Sequence, residues 1–277
     1  MRAMRLSAAV LILLLLPSLP AWSAPSADLW ERWTAHDPDS RLQVDHSTWD
    51  RMLKTYITAG TDGIHYFAYG GVSAEDSNAL QRYLQYLEQS PVSRLNRAEQ
   101  KAFWFNLYNA LTVRVILDHY PVDSIRDIDI SPGFFADGPW KKKLVRIEDQ
   151  PVSLDDIEHR ILRPIWKDPR IHYGVNCASI GCPNLQTQAF TAANTEALLD
   201  KGAREYVNHP RGARIESGRL IVSSIYVWFQ EDFGGDDAGV IAHLKKWAGT
   251  TLQNQLEEIQ KISDDQYDWA LNDAARL

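Results

Sequence analysis

Cys177 and Cys182 are the only cysteines in the chain, and they bracket a short turn that closely follows His172 and Asn176. A thiolate becomes a useful nucleophile when a base stands beside it and a third group orients that base. Cys177 as nucleophile, His159 or His172 as base, and Glu158 or Asn109 as orienting group would make a thiol-dependent hydrolase or acyltransferase. The same two cysteines are also a disulfide candidate wherever the compartment is oxidising. Closing so small a loop would stabilise the fold by ~2 kcal/mol and pin the turn beside His172 and Asn176. The chain would then be a ligand-binding or structural domain. With His159 and His172 added, four nitrogen and sulfur donors would suit tetrahedral zinc, provided the fold joins two histidines from separate elements. The sequence implies no other cofactor.

These residues need elements to hold them. The run Phe103-Trp104-Phe105-Asn106-Leu107-Tyr108-Asn109-Ala110-Leu111 is apolar nearly all round and predicts a helix buried on most sides. Asn106 and Asn109 are three apart and share a face of it. Buried amides must be hydrogen-bonded, since an unpaired one costs on the order of 1 to 3 kcal/mol. They either tie a neighbouring loop to the core or, with Arg170 and Asn176, contact a ligand. A second helix opens at the capping box Ser153/Asp156 and places Leu154, Ile157, Ile161 and Leu162 on its core arc. Glu158 falls within that arc and His159 at its border, so the carboxylate must be paired or protonated. Arg163, Arg170 and His172 are the available partners. Residues 170–176 read as a strand, with Arg170, His172, Gly174 and Asn176 on one face and Ile171, Tyr173, Val175 and Cys177 on the other.

Ser47, Ser73 and Asn96 each precede an amphipathic or apolar run and mark three helices, the last reaching His119 before Pro121. Leu144 to Ile147 reads as a short strand and Leu220 to Trp228 as a longer one. Helices are expected over 195–208, 238–248 and 251–259. The expected fold is α+β, a helix-rich domain with a small mixed β-sheet. No Gly/Ser-rich or Pro-rich linker interrupts it, which favours one continuous body.

Arg2 and Arg5, the apolar run from Ala8 to Leu16, then Pro17 and Pro20 ahead of Ala21-Trp22-Ser23, follow the order of a cleavable signal peptide. Cleavage is expected after Ser23, which makes the protein periplasmic or secreted. Loss of the two arginines takes the formal charge from −7 to −9. An acidic chain whose one basic run is Lys141 to Lys143 with Arg146 lacks the footprint of a nucleic-acid binder. No later stretch is long and apolar enough to span a membrane. The expected partner is a small molecule or a component of the cell envelope. Export also favours the disulfide among the three readings of Cys177 and Cys182.

Six blocks, in order, resemble the domain-of-unknown-function family 547. They are Phe103 to Ala110, Asp156-Ile157-Glu158-His159 with Ile161-Leu162-Arg163, Asp168 to His172, Asn176 to Pro183, Trp228 with Asp232-Phe233, and Tyr267 to Asn272. Bacterial members of that family look exported, which agrees with the N-terminus, and plant members carry the domain behind a helical segment. The resemblance implies that these residues cluster, and it brings no reaction with it. The expected organisation is a signal peptide over 1–23, an N-terminal helical region over 24–95, and the family-like domain over 96–273.

Overall fold

A computed structural model describes residues 25–133 and 137–277. The expected signal peptide lies outside the described residues. The architecture is α+β, with long helices and several small sheets.

Three helices build the front of the molecule: α1 (Ser47–Tyr56), α2 (Ala74–Glu88) and α3 (Arg97–His119), with a hairpin of β1 (Ile57–Ala59) and β2 (His65–Phe67) between the first two. Both α2 and α3 start where a side chain can take an orphan amide. Ser73 Oγ accepts from the Asp76 amide at 3.1 Å and Asn96 Oδ1 from the Glu99 amide at 3.0 Å. With neither Pro nor Gly inside it, α3 runs unbroken, and every residue from Glu99 to Val113 is buried. Around it packs a core that draws on Trp33 and Trp49 at one end of the chain and Leu271 at the other. The front helices therefore share one core with the segment that follows them.

A second hairpin, β3 (Val145–Ile147) with β4 (Gln150–Val152), leads into the helix expected at Ser153. The capping box forms: the Asp156 amide donates to Ser153 Oγ, and the Ser153 amide to Asp156 Oδ2. The helix then widens over Asp156–Leu162 into π geometry, the Arg163 amide reaching back to the Glu158 carbonyl, before closing as α4 (Arg163–Trp166). Such widened turns are uncommon and gather at functional sites.

Residues 170–176 are not a strand. Ile171–Gly174 form one helical turn, α5, because Asp168 Oδ1 takes the Arg170 amide and the Asp168 carbonyl takes the Ile171 amide. The two-face alternation expected there does not exist, and with it falls the placement of Cys177 on an apolar strand face. The long strand expected from Leu220 to Trp228 is also shorter. It ends at Ser223, whose hydroxyl caps a helical turn, α7, over Ser224–Trp228.

The back of the molecule holds α6 (Thr195–Val207), β5 (Ala213–Glu216), β6 (Arg219–Ser223), α7, α8 (Asp237–Trp247), α9 (Thr250–Leu256) and β7 (Ile262–Gln266). β6 pairs antiparallel with β5 and parallel with β7, which makes the expected small mixed sheet. A second apolar cluster fills the space between this sheet and α6 and α8. Among the described residues no helix is long and apolar enough to cross a membrane.

Candidate functional site

A pocket of about 280 Å³ opens among residues from both apolar clusters and from the loops between them. The widened helix supplies Asp155, Glu158 and His159, α5 supplies His172, and the following turn supplies Cys177 and Cys182. Trp140, Trp228, Phe229, Tyr267 and Trp269 wall the rest. Trp228 stacks on Trp269 with ring centroids 5.7 Å apart, and Tyr267 tilts against both. The aromatic side therefore offers a rigid apolar surface for a flat group.

The turn that carries Cys177 is built by amides of the buried helix. Asn109 donates to the Gly174 carbonyl and accepts from the Asn176 amide, both at 2.8 Å. Asn176 in turn accepts from the Ala178 amide and donates to the Pro183 carbonyl. Asn106 holds both backbone groups of Phe190 in the same way. Ala178, with φ of 61°, occupies the left-handed region that a non-glycine residue adopts only under constraint. The final segment of the chain then closes over the turn: Ile180 and Gly181 donate to the carbonyls of Ala270 and Asp268. Gly181 has to be glycine for this, because a Cβ would stand 2.8 Å from the Asp268 nitrogen.

That closure delivers Tyr267 to the thiol. Cys177 Sγ lies 2.9 Å from Cys182 Sγ, 3.1 Å from the Tyr267 hydroxyl and 3.2 Å from the Ser179 hydroxyl. The expected disulfide is not formed. Both cysteines are free, and their separation exceeds the roughly 2.05 Å of a sulfur–sulfur bond. The hydrogen bond from Cys182, with those from Ser179 and Tyr267, outweighs burial and lowers the Cys177 thiol from its ordinary range. Burial, and the sulfur facing it, push Cys182 the other way. Cys177 is the more acidic thiol of the pair, and Cys182 faces it as the proton-bearing donor.

The histidines have different partners. His172 Nε2 is 2.7 Å from Asp232 Oδ2, and its Nδ1 is 3.5 Å from Glu158 Oε1. Burial alone would depress its pKa; the bonds to Asp232 and Glu158 more than offset this and raise it. Held between two carboxylates, His172 has both ring nitrogens engaged and none free to accept a thiol proton. Burial would raise Glu158, but the imidazole charges of His159 and His172 and the guanidinium of Arg163 hold it down at about 2. Arg163 also bonds Asp232 at 2.5 Å and lies over the Phe229 ring. His159 Nδ1 faces Arg163 Nη1 at 3.1 Å, and burial lowers its pKa to about 4.

Of the residues singled out by sequence, Cys177, His159, His172 and Glu158 thus share the pocket wall. Asn106, Asn109 and Asn176 instead spend their polar atoms on backbone, and Arg170 is bound to Asp168, Glu196 and Asp200. Four-ligand zinc from His159, His172, Cys177 and Cys182 is not assembled: among the described residues no three His, Cys, Asp or Glu are grouped to hold a metal. Both nitrogens of His172 face carboxylates, and Nδ1 of His159 faces a guanidinium.

Sequence reasoning passed over Asp155 and gave no role to Ser179, Asp232 or Tyr267. Asp155 stands four residues before His159, the spacing at which helical neighbours meet, but the adjacent capping box absorbed the signal. Burial and the nearby Glu158 raise its carboxyl to about 6. No local pattern could have linked Tyr267 to Cys177 across ninety residues.

Fold and pocket define a helix-rich α+β domain with a close thiol pair and an imidazole held between carboxylates on a shared aromatic cavity. Residues 92–207 match the family model described as "Protein of unknown function, DUF547". The match bears out the resemblance and contains Glu158, His159, His172 and both cysteines. Asp232 and the Trp228 and Tyr267 blocks fall beyond it. No curated protein and no solved structure matches the chain.

Proposed function

We propose that the chain is an exported enzyme that uses Cys177 to transfer or hydrolyse an acyl group bound in the tryptophan-walled pocket. One observation carries the reading: Cys177 Sγ borders that pocket with three hydrogen-bonding groups within 3.2 Å and a depressed pKa. A thiolate formed this way needs no histidine to deprotonate it. It attacks the acyl carbonyl carbon, a carbon–sulfur bond forms, and the bond to the leaving group breaks as that group takes a proton. Water or a second acceptor then releases the thioester. The basic, apolar and small-residue order of the first 23 residues supports a periplasmic or secreted location.

Location also favours a second state of the same site. In an oxidising compartment, sulfurs 2.9 Å apart are placed to close into a disulfide, which leaves an aromatic pocket able to bind a ligand without turning it over. Mass spectrometry after exposure to 4-nitrophenyl acetate tests the enzyme reading. Reduced wild-type protein should gain one acetyl group on Cys177 and lose it on standing, and C177S should gain none. Equal labelling of the two proteins, or no labelling of the reduced wild type, overturns it. A disulfide in protein purified from the envelope, with retained quenching of tryptophan fluorescence by flat ligands, would favour the binding reading.

A further inference from the structure

His159 lies on the pocket wall with its side chain more than nine-tenths buried. Its two nitrogens face different worlds. Nδ1 meets Arg163 Nη1 at 3.1 Å, and a guanidinium carries only donors. Nδ1 is therefore the acceptor, and in the neutral ring the proton sits on Nε2. The closest acidic oxygen to Nε2 is Asp155 Oδ1 at 3.9 Å, too far for a hydrogen bond. A donor N–H thus belongs to a buried ring on the cavity wall, with no acceptor for it among the described residues. Burial opposes a second proton on the ring and outweighs the attraction of Glu158 and Asp232, Arg163 and His172 oppose it too, and Phe229 stacks at 5.6 Å and fixes the ring plane.

We infer that His159 Nε2–H receives the carbonyl oxygen of the acyl substrate and stabilises the negative charge that gathers there when Cys177 attacks. The inference rests on the acyl-transfer reading for its catalytic part. It assigns His159 the role of electrophile, where its type and its place beside Glu158 suggest a base. The ligand it selects is a neutral carbonyl, an amide or ester. A carboxylate at that nitrogen would have to enter beside Glu158 and Asp155; elsewhere the lining adds Asp137 and, as its one lysine, Lys141.

Two measurements separate this inference from the thiol reading. In 15N-histidine-labelled C177S protein, His159 should show the neutral Nε2–H tautomer from pH 5.5 to 8. Titration with N-methylbenzamide, a carbonyl that does not react, should move that N–H resonance downfield to saturation. A cationic ring at pH 7, an Nδ1–H tautomer, or a resonance that ignores the amide overturns the inference whatever Cys177 does. In the reduced wild-type background, H159F should acylate with 4-nitrophenyl acetate about 100-fold or more slower, as when an oxyanion donor is removed. H159Q, which keeps an N–H, should recover part of the rate, and the rate of Cys177 alkylation by iodoacetamide should stay within about twofold in both variants. Unchanged acylation in H159F, or acylation and alkylation falling together, counts against the electrophile role. Failure of wild-type acylation with the amide shift intact would overturn the thiol reading and leave His159 as a carbonyl-binding donor.

Discussion

Cys182 Sγ stands 2.9 Å from Cys177 Sγ and also 3.0 Å from the Cys177 amide, so one buried sulfur touches both ends of the residue it serves. Its thiol proton is the first cause of the low Cys177 pKa. A hydrogen bond to a charged group is worth about 1.5 to 3 kcal/mol, or about one to two pKa units. C182A should therefore raise the Cys177 pKa by about one unit or more, read from the pH dependence of its alkylation rate. A Cys177 pKa that ignores the substitution would remove Cys182 as the activating donor.

Asp232 holds two basic groups, His172 and Arg163, both of them buried. Removing its charge leaves both buried with less compensation. D232N should cost about 3 kcal/mol, the lower end for breaking a buried pair, measured as a shift in the urea midpoint. It should also lower the His172 pKa, because the Asp232 bond is the larger of the two contributions that hold it up. His172 nitrogen shifts that stay put would show that Glu158 alone sustains the cation.

Gly181 offers a test of how the turn is closed. An added Cβ would meet the backbone of Asp268 at 2.8 and 2.9 Å, and backbone cannot swing aside as a long side chain can. G181A should displace the segment that carries Tyr267 and cost ~1 to 3 kcal/mol, as overpacking does. Cys177 would lose the Tyr267 hydrogen bond, so its pKa should rise together with the fall in stability. Stability lost without a change in Cys177 reactivity would mean that Tyr267 follows the turn.

The parts legible in the sequence were those set by neighbours along the chain. Asn96 and the absence of helix breakers gave α3 from end to end, and the apolar ring around Asn106 and Asn109 marked it as buried. The Ser153/Asp156 box found the helix that presents Glu158 and His159. The strand expected over 170–176 failed because its apolar alternation was overridden by Asp168, whose side chain and carbonyl capture two amides and wind the backbone into a turn. Ser223 did the same to the strand that was expected to continue to Trp228. The roles of the histidines were out of reach for a different reason. Arg163 decides which nitrogen of His159 is protonated, and Asp232, sixty residues from His172, decides its charge.

Histidines whose pKa burial depresses make stability depend on pH in a direction that can be worked out. Burial depresses His46, His159 and His243 from 6.5 to about 4 each. Between those values the unfolded chain holds a proton on each ring that the folded chain does not, so stability falls as pH drops from about 6.5 to about 4. Asp155 acts in the opposite sense. Its carboxyl is raised from 3.8 to about 6, so below pH 6 the folded state binds a proton that the unfolded state lacks. His172, with a raised pKa, contributes stability that is already complete below 6.5 and does not change in this window. The rings outnumber the carboxyl, and His209, also depressed by burial, acts with them, so unfolding near pH 5 takes up about two protons or more, on the order of 3 kcal/mol per pH unit. Urea unfolding at pH 6.5, 5.5 and 4.8 should show that slope, and H243Q should reduce it by about one proton. A midpoint that does not move between pH 6.5 and 4.8 would mean the rings are protonated in the folded protein, and the neutral Nε2–H assigned to His159 would fall with it.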